Sequence, residues 1–188
     1  MAATPSTMMP LGTPAPNFSL PDTQAHNLGR FVSLEDYRSA KAIVVMFLCN
    51  HCPYVLHINQ ALVNLVGDYS PKGIAFIGIS SNDAVQYPDD APDKMTIHAK
   101  AHGYTFPYLY DASQNVARSF DAACTPDFFV FDKDIRCVYR GQFDDSRPKN
   151  NALATGNDLR AALDAVLKGQ PVNPEQKPSL GCSIKWKQ

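Results

Sequence analysis

Residues 42–53, Ala-Ile-Val-Val-Met-Phe-Leu-Cys-Asn-His-Cys-Pro, decide the fold of this chain. The first seven of them are apolar and β-favouring, which is typical of a strand covered on both faces. Beyond Pro53 apolar side chains recur at helical spacing, and proline suits the first position of a helix because that position needs no N–H partner. Cys49 and Cys52 therefore lie where a buried strand gives way to a helix.

A cysteine at the start of a helix has an unusual electrostatic environment. Unpaired backbone N–H groups and the positive end of the helix dipole both favour the thiolate, which is the reactive form of the side chain. The stretch therefore predicts thiol–disulfide chemistry carried by Cys49 and Cys52. We expect one activated sulfur to be presented to solvent at the start of the helix, with the second sulfur within bonding distance.

Size and composition restrict the class of protein. The chain has 188 residues, a formal net charge of -1, 45% hydrophobic residues and 19% charged residues, as in an ordinary globular protein. This charge argues against a nucleic-acid partner, and no apolar run is long enough to span a membrane. No secretory signal is recognisable, so we expect a cytoplasmic protein. We predict one domain over 1–188, with a loose leader over 1–16 and an extended C-terminal tail over 170–188.

Five cysteines are present, an odd number in a chain too large to need disulfide staples. A single C-x-x-C motif beside a strand–helix–strand pattern favours redox chemistry in a reducing compartment. Two alternatives stay open for the pair, namely part of a metal site and inert thiols in the core. A structural zinc site needs four ligands, and His51, His57 and Cys124 are the donors that could complete one.

The order of predicted elements defines the fold class. The helix after Pro53 leads to a second buried strand at Ile74–Ile79, which makes a parallel strand–helix–strand unit. An insertion with a helix near 93–102 follows. A hairpin of 128–131 with 137–140 and a last helix ending near Gly169 complete the pattern. We predict an α/β fold with a central mixed sheet flanked by helices, an N-terminal extension and a central insertion.

This order resembles the thioredoxin superfamily over about residues 15–170. The resemblance depends on Phe47–Pro53, on Thr125-Pro126 before a strand, and on the terminal hairpin and helix. The extension and insertion resemble the peroxiredoxin-like branch, which includes thiol–disulfide oxidoreductases and the alkyl hydroperoxide reductase and thiol-specific antioxidant proteins. The resemblance implies a thioredoxin-like fold and no bound cofactor. It also implies that Thr125 and Pro126 form a cis-proline loop whose backbone pairs with an extended substrate segment.

The resemblance leaves two assignments of the attacking sulfur. Thioredoxins attack with the first cysteine of the motif, which would be Cys49. Pro53 at the first helical position instead places Cys52 at the helix cap, where the backbone amides converge. In that register Cys52-Pro53 resembles the peroxidatic Cys-Pro of peroxiredoxins, and Cys49 lies where those enzymes carry a threonine. We favour Cys52 as the nucleophile and Cys49 as its resolving partner.

These observations predict a thiol–disulfide oxidoreductase that acts on a disulfide or thiol of a protein or small molecule. A peroxiredoxin-like thiol peroxidase with antioxidant activity, and a copper- or zinc-binding protein, are the alternatives. Two other cysteines have open roles. Cys124, two residues before the proline, fits a core position better than a third redox thiol. Two alternatives stay open for Cys182, namely that it is a redox thiol and that it anchors the tail.

Overall fold

A five-stranded sheet organises the computed structural model, which describes residues 3–188. The strands are β1 (Thr4–Pro5), β2 (Ser19–Pro21), β3 (Phe31–Ser33), β4 (Ala42–Phe47), β5 (Ile74–Ser80), β6 (Tyr108–Tyr110), β7 (Cys124–Thr125), β8 (Asp127–Asp132), β9 (Cys137–Gly141) and β10 (Leu180–Ser183). The helices are α1 (Pro53–Tyr69), α2 (Pro92–His102), α3 (Asn115–Ser119) and α4 (Asn157–Leu167). Short 3-10 turns cover Leu34–Tyr37, Ser70–Lys72 and Pro88–Asp90.

The main sheet has the strand order β6-β5-β4-β8-β9. Strand β4 runs parallel to β5, and β5 runs parallel to β6. Strand β8 is antiparallel to both β4 and β9. The predicted α/β fold with a central mixed sheet is confirmed.

Strand β4 separates two hydrophobic cores because successive side chains of a strand point to opposite faces. Val44 and Met46 belong to the core that contains α1, α2 and α4, whereas Val45 and Phe47 face the core that contains α3 with β2 and β3. All six residues of β4 are buried, which explains why its sequence is apolar throughout. Among residues 3–188, no helix is long and apolar enough to cross a bilayer.

Both ends of the described chain are more ordered than the sequence suggests. The expectation of a loose leader over 1–16 is wrong for residues 3–16, because β1 pairs with β10 and Met9 is buried; Met1 and Ala2 lie outside the described residues. The predicted tail over 170–188 contains β10, which pairs with both β1 and β7. Strands of two to four residues show no recognisable period, and their partners are distant in sequence, so the pattern could not reveal them.

The register of two central strands creates the meeting point of the predicted site residues. Phe47 at the end of β4 pairs with Asp127 at the start of β8. Because these strands are antiparallel, the segment after β4 and the segment before β8 emerge at the same end of the sheet. Cys49–Cys52 and Thr125-Pro126 therefore meet, although 76 residues separate Cys49 from Thr125.

The aromatic core beneath α3 gives a test of this packing. Phe120 is fully buried, and its ring lies edge-on to Phe47 and Phe129 at centroid distances of 5.4 and 5.5 Å. Phe120→Ala should lower the free energy of unfolding by about 3–5 kcal/mol, because it removes a buried ring and leaves a cavity. Chemical denaturation of the reduced protein measures this change.

Leu153→Ala is the matched control, since Leu153 is 85% exposed. Its effect should stay within about 0.5 kcal/mol. Equal losses of stability in the two variants would contradict the assignment of Phe120 to the core.

Candidate redox site at the start of helix α1

Cys52 occupies the N-cap of α1, and Pro53 is the first residue of that helix. Its backbone is extended, with φ -70° and ψ 121°, as is usual for a residue that caps a helix. The N–H group of Val55, three residues into the helix, lowers the pKa of the Cys52 thiol. The predicted placement of Cys52 at the helix cap is therefore observed, although its side chain forms no capping hydrogen bond with the helix amides.

The pKa of Cys52 falls to about 5. The largest cause is a hydrogen bond from the Cys49 side chain, which outweighs the opposing effect of burial; the side chain of Cys182 and the amide of Val55 lower the pKa further. In its protonated form, the Cys52 thiol donates to the carbonyl oxygen of Thr125, with Sγ and O 3.1 Å apart. A pKa of about 5 favours the thiolate at neutral pH, and the thiolate form gives up the hydrogen bond to the Thr125 carbonyl.

Cys49 has the opposite electrostatic character. Its pKa is raised well above the usual value, first by its hydrogen bond to Cys52, then by burial and by the charge of Asp90. Its Sγ lies 3.2 Å from the hydroxyl Oγ1 of Thr125. The two motif cysteines are thus a thiolate–thiol pair in which Cys52 is the anion.

Both sulfurs are covered, so the expectation of an exposed activated sulfur is wrong. Cys49 is 1% exposed and Cys52 is 0% exposed. The covering segment near Cys52 is β10, whose residue Cys182 is buried in the same cluster as Cys52 and lowers its pKa. Sequence patterns could not indicate this cover, because it depends on a strand pairing between distant parts of the chain.

The four predicted site residues lie together. The Thr125–Pro126 peptide bond is cis, and both residues are buried beside the sulfurs of Cys49 and Cys52. Thr125 contributes its hydroxyl to Cys49 and its carbonyl to Cys52, so one residue contacts both thiols. The opposite side of Thr125 pairs with Cys182 in β10.

Asp90 organises the motif loop and was missed in the sequence, where its Pro-Asp-Asp context indicates only a turn. Its carboxylate is fully buried and accepts hydrogen bonds from the Asn50 amide at 2.8 Å and the Asn82 side chain at 2.7 Å. Burial opposes its charge, but the donors from His51, Asn82 and Asn50 outweigh burial and lower its pKa. A buried carboxylate with such partners stabilises one conformation of the loop.

His51 forms an ion pair with this carboxylate. Its Nδ1 lies 2.8 Å from Asp90 Oδ2, although the angle is outside that of a well-formed hydrogen bond. Asp90 is the main reason why the pKa of His51 is raised, and the charge of Cys52 adds to the effect. The ring stacks on Tyr87 with centroids 6.0 Å apart. A cationic His51 thus lies beside the thiolate at mildly acidic pH.

Cys124 and Cys137 are core thiols rather than members of the pair. Both are buried, and burial raises the pKa of each, that of Cys137 to about 11. Cys182 is also protonated at neutral pH, because burial and then Cys52 raise its pKa to about 12. Unlike the two core thiols, the side chain of Cys182 lowers the pKa of Cys52.

One group of side chains has donors suited to a metal ion. The ligand atoms of Cys49, His51 and Asp90 lie within 4.8 Å of one another. Three donors are one fewer than a structural zinc site requires, and both oxygens of Asp90 already bind the loop and Asn82. This arrangement fits loop positioning and thiol chemistry better than a dedicated metal centre.

The hydrogen bond from Cys49 to Cys52 can be measured through the thiolate. In the reduced protein, the ultraviolet absorbance of the Cys52 thiolate should appear with rising pH in a transition whose midpoint lies near 5. Cys49→Ala removes the donor, so the midpoint should rise by about one to two pH units, the usual value of a hydrogen bond to a charged group. Cys49→Ser keeps an O–H donor and should move the midpoint less.

Cys52→Ser identifies the transition, which should disappear in that variant. An unchanged midpoint in Cys49→Ala would show that Cys49 does not stabilise the thiolate.

Comparison with known proteins places this geometry in a family. A sequence profile described as the AhpC/TSA family matches residues 11–140. A protein of Mycobacterium tuberculosis named "Putative peroxiredoxin" is 29% identical over 167 residues, covering 86% of this chain and 98% of that protein.

Two crystal structures are more similar still. An uncharacterized conserved protein from Geobacillus kaustophilus is 57% identical, with a TM-score of 0.96 over 100% of this chain and 97% of the other. A hypothetical protein from Sinorhizobium meliloti is 48% identical, with a TM-score of 0.94 over 98% of both chains. With the fold and the profile match together, the chain belongs to the AhpC/TSA family, in the peroxiredoxin-like branch of the thioredoxin superfamily.

Proposed function

We propose that this protein is a thiol–disulfide oxidoreductase in which Cys52 attacks and Cys49 resolves. The observation that carries the proposal is the geometry at the start of α1, where Cys52 occupies the N-cap and Thr125 contacts the sulfurs of both Cys52 and Cys49. The pKa shifts agree with this order of attack, since the pKa of Cys52 is lowered to about 5 and that of Cys49 is raised. Only a thiolate attacks a disulfide at a useful rate. The reverse order, with Cys49 attacking, would require the thiol with the raised pKa to react before the thiol with the lowered pKa.

The proposed cycle is a sequence of two exchanges. The Cys52 thiolate attacks one sulfur of a target disulfide, and the other target sulfur leaves as a thiolate that takes a proton from water. Cys49 then loses its proton and attacks the Cys52 sulfur, which releases the second target thiol and closes the Cys49–Cys52 disulfide. The target gains two electrons from the cysteine pair, and a thiol of a partner protein or small molecule then supplies two electrons that reduce the Cys49–Cys52 disulfide again. No bound cofactor takes part.

Thr125 and Pro126 act as the positioning loop in this proposal. The contacts of Thr125 with both sulfurs support this role, because they fix the distance between the attacking and the resolving atom. His51 favours the thiolate through its positive charge when it is protonated. We place the cycle in the cytoplasm, where a reducing environment preserves the five unpaired cysteines.

Thiol peroxidase activity is the second candidate. The burial of Cys52 favours it, since hydrogen peroxide needs a smaller opening of the site than a protein disulfide does. In this reaction, the Cys52 thiolate attacks one peroxide oxygen and becomes a sulfenic acid, and hydroxide leaves. The Cys49 thiol then condenses with the sulfenic acid to form the same disulfide and a water molecule.

Two single variants test the order of attack. After incubation of the reduced protein with glutathione disulfide, Cys52→Ser should form no glutathione adduct within the motif. Cys49→Ser should still react at Cys52 but cannot form the Cys49–Cys52 disulfide. Mass spectrometry of unreduced peptides locates each bond.

Glutathionylation of Cys49 in the Cys52→Ser variant would overturn the proposed order. Stopped-flow mixing of the wild-type protein with hydrogen peroxide separates the two candidates. Rapid formation of the Cys49–Cys52 disulfide with peroxide, together with slow reaction with disulfides, would replace the first candidate by the second.

A further inference from the structure

The C-terminal strand β10 occupies the edge of the candidate site. It pairs antiparallel with β7, and Cys182 lies opposite Thr125 while Ser183 lies opposite Cys124. The residue before the cis-proline therefore already has a backbone partner, which is part of this chain. Any extended substrate segment that pairs with Thr125 has to replace this strand.

Gly181 makes this approach sterically feasible. A Cβ atom at this position would lie 2.6 Å from the carbonyl carbon of Thr125 and closer still to its oxygen. Any side chain would therefore force the two strands apart. The glycine before Cys182 allows the strand to approach close enough for its cysteine to reach Cys52.

The strand is anchored on both sides of Cys182. On one side, Ser179 and Ser6 exchange hydrogen bonds of 2.9 Å. On the other side, the Lys185 amide donates to Asn82 at 2.8 Å, and the Lys185 carbonyl accepts from Gln114 at 2.8 Å. Because the Asn82 side chain also donates to Asp90, the anchor of the strand and the motif loop share one hydrogen-bond network.

We propose that Cys182 is a third redox thiol of this site, and that β10 acts as a tethered substrate whose cysteine forms a reversible disulfide with Cys52. This inference rests on the proposed function of Cys52. It also indicates the substrate class, namely an extended peptide with a small residue before its cysteine, which would pair with β7 as β10 does.

Once the target disulfide has reacted with Cys52, the later steps only exchange the partners of a disulfide and need no further oxidant. A target disulfide first forms a mixed disulfide with Cys52, as in the proposed cycle. The Cys182 sulfur, after giving up its proton, attacks the Cys52 sulfur, and the departing target thiolate takes that proton. The Cys49 sulfur can then attack Cys52 in turn, which closes the Cys49–Cys52 disulfide and returns Cys182 to the thiol form.

The position of the three thiols supports this exchange. Cys49, Cys52 and Cys182 belong to one buried cluster. The sulfur of Cys52 lies 3.1 Å from the carbonyl oxygen of Thr125, and Thr125 is the residue with which Cys182 pairs. Cys182 is 6% exposed and remains a protonated donor at neutral pH. Cys124 is buried nearby, but its thiol is oriented towards the Pro126 carbonyl oxygen at 3.8 Å. The geometry therefore favours Cys182 over Cys124 as the third partner.

The test uses the full chain with Cys49→Ala, so that Cys49 cannot resolve. After reaction with glutathione disulfide at neutral pH, trypsin separates the motif in peptide 42–72 from Cys182 in peptide 169–185. We expect a disulfide that joins these two peptides, with little glutathione retained. The double variant Cys49→Ala/Cys182→Ser should instead retain glutathione on Cys52.

Steric displacement of β10 gives an independent measurement. Gly181→Ala in the Cys49→Ala background should lower the yield of the joined peptides at least about tenfold and raise the glutathione adduct, because its Cβ meets the Thr125 carbonyl. Gly67→Ala is the matched control. Gly67 is exposed on α1, and a Cβ there meets nothing within 4 Å, so this variant should behave as its parent.

The outcomes separate this inference from the proposed function. Retention of glutathione on Cys52 in Cys49→Ala, or a disulfide that joins 42–72 to the Cys124 peptide 119–133, would overturn the role of Cys182. If the wild-type protein still forms the Cys49–Cys52 disulfide in that case, the proposed function survives. Absence of any disulfide at Cys52 in all of these proteins would overturn both.

Discussion

The charge of a buried sulfur is the constraint on which the rest of this site depends. A thiolate without solvent is unfavourable unless donors surround it. Three parts of the chain lower the pKa of Cys52, through the side chain of Cys49, the side chain of Cys182 and the amide of Val55. The capping helix, the motif loop and the C-terminal strand are thus coupled through one atom. A change in the charge or covalent state of that atom alters the hydrogen bonds of all three.

The second buried anion, Asp90, stabilises the loop that carries the motif. It lies in the insertion between β5 and α2, and its bonds to Asn50, His51 and Asn82 connect the insertion to the motif loop. The residues between the two cysteines are therefore positioned by a carboxylate rather than by the motif itself. Through Asn82 the same network reaches the backbone of Lys185, beyond the cysteine of the C-terminal strand.

The two candidate functions differ in whether β10 must leave the site before Cys52 reacts. While β10 pairs with β7, a small oxidant has easier access to Cys52 than a protein disulfide has. With β10 displaced, the same edge offers an unpaired strand to an extended peptide. Under the proposed function, the position of the C-terminal strand therefore decides whether Cys52 meets a small oxidant or an extended peptide. This also explains why the sulfurs are buried in a site whose chemistry needs a reaction partner.

Local patterns in the sequence were sufficient for the fold and for the chemistry of the motif. Whereas the role of Thr125-Pro126 followed from the family resemblance, the apolar run of β4 and the helical period after Pro53 depend on short-range physics, namely burial and helix geometry. The same reasoning placed Cys52 at the helix cap. The pairing of β1 with β10 was not foreseen, because these short strands are stabilised only by partners far away in the chain.

The sequence by itself determined which residues can react and which of them starts a helix. Only the tertiary structure decided that Asp90 is a buried ion-pair partner, that both motif sulfurs are covered, and that Cys182 lies against Cys52. The physical reason is that burial, hydrogen-bond partners and pKa depend on what other segments place around a group. Those neighbours follow from the strand register between β4 and β8 and from the docking of β10, which no local pattern encodes.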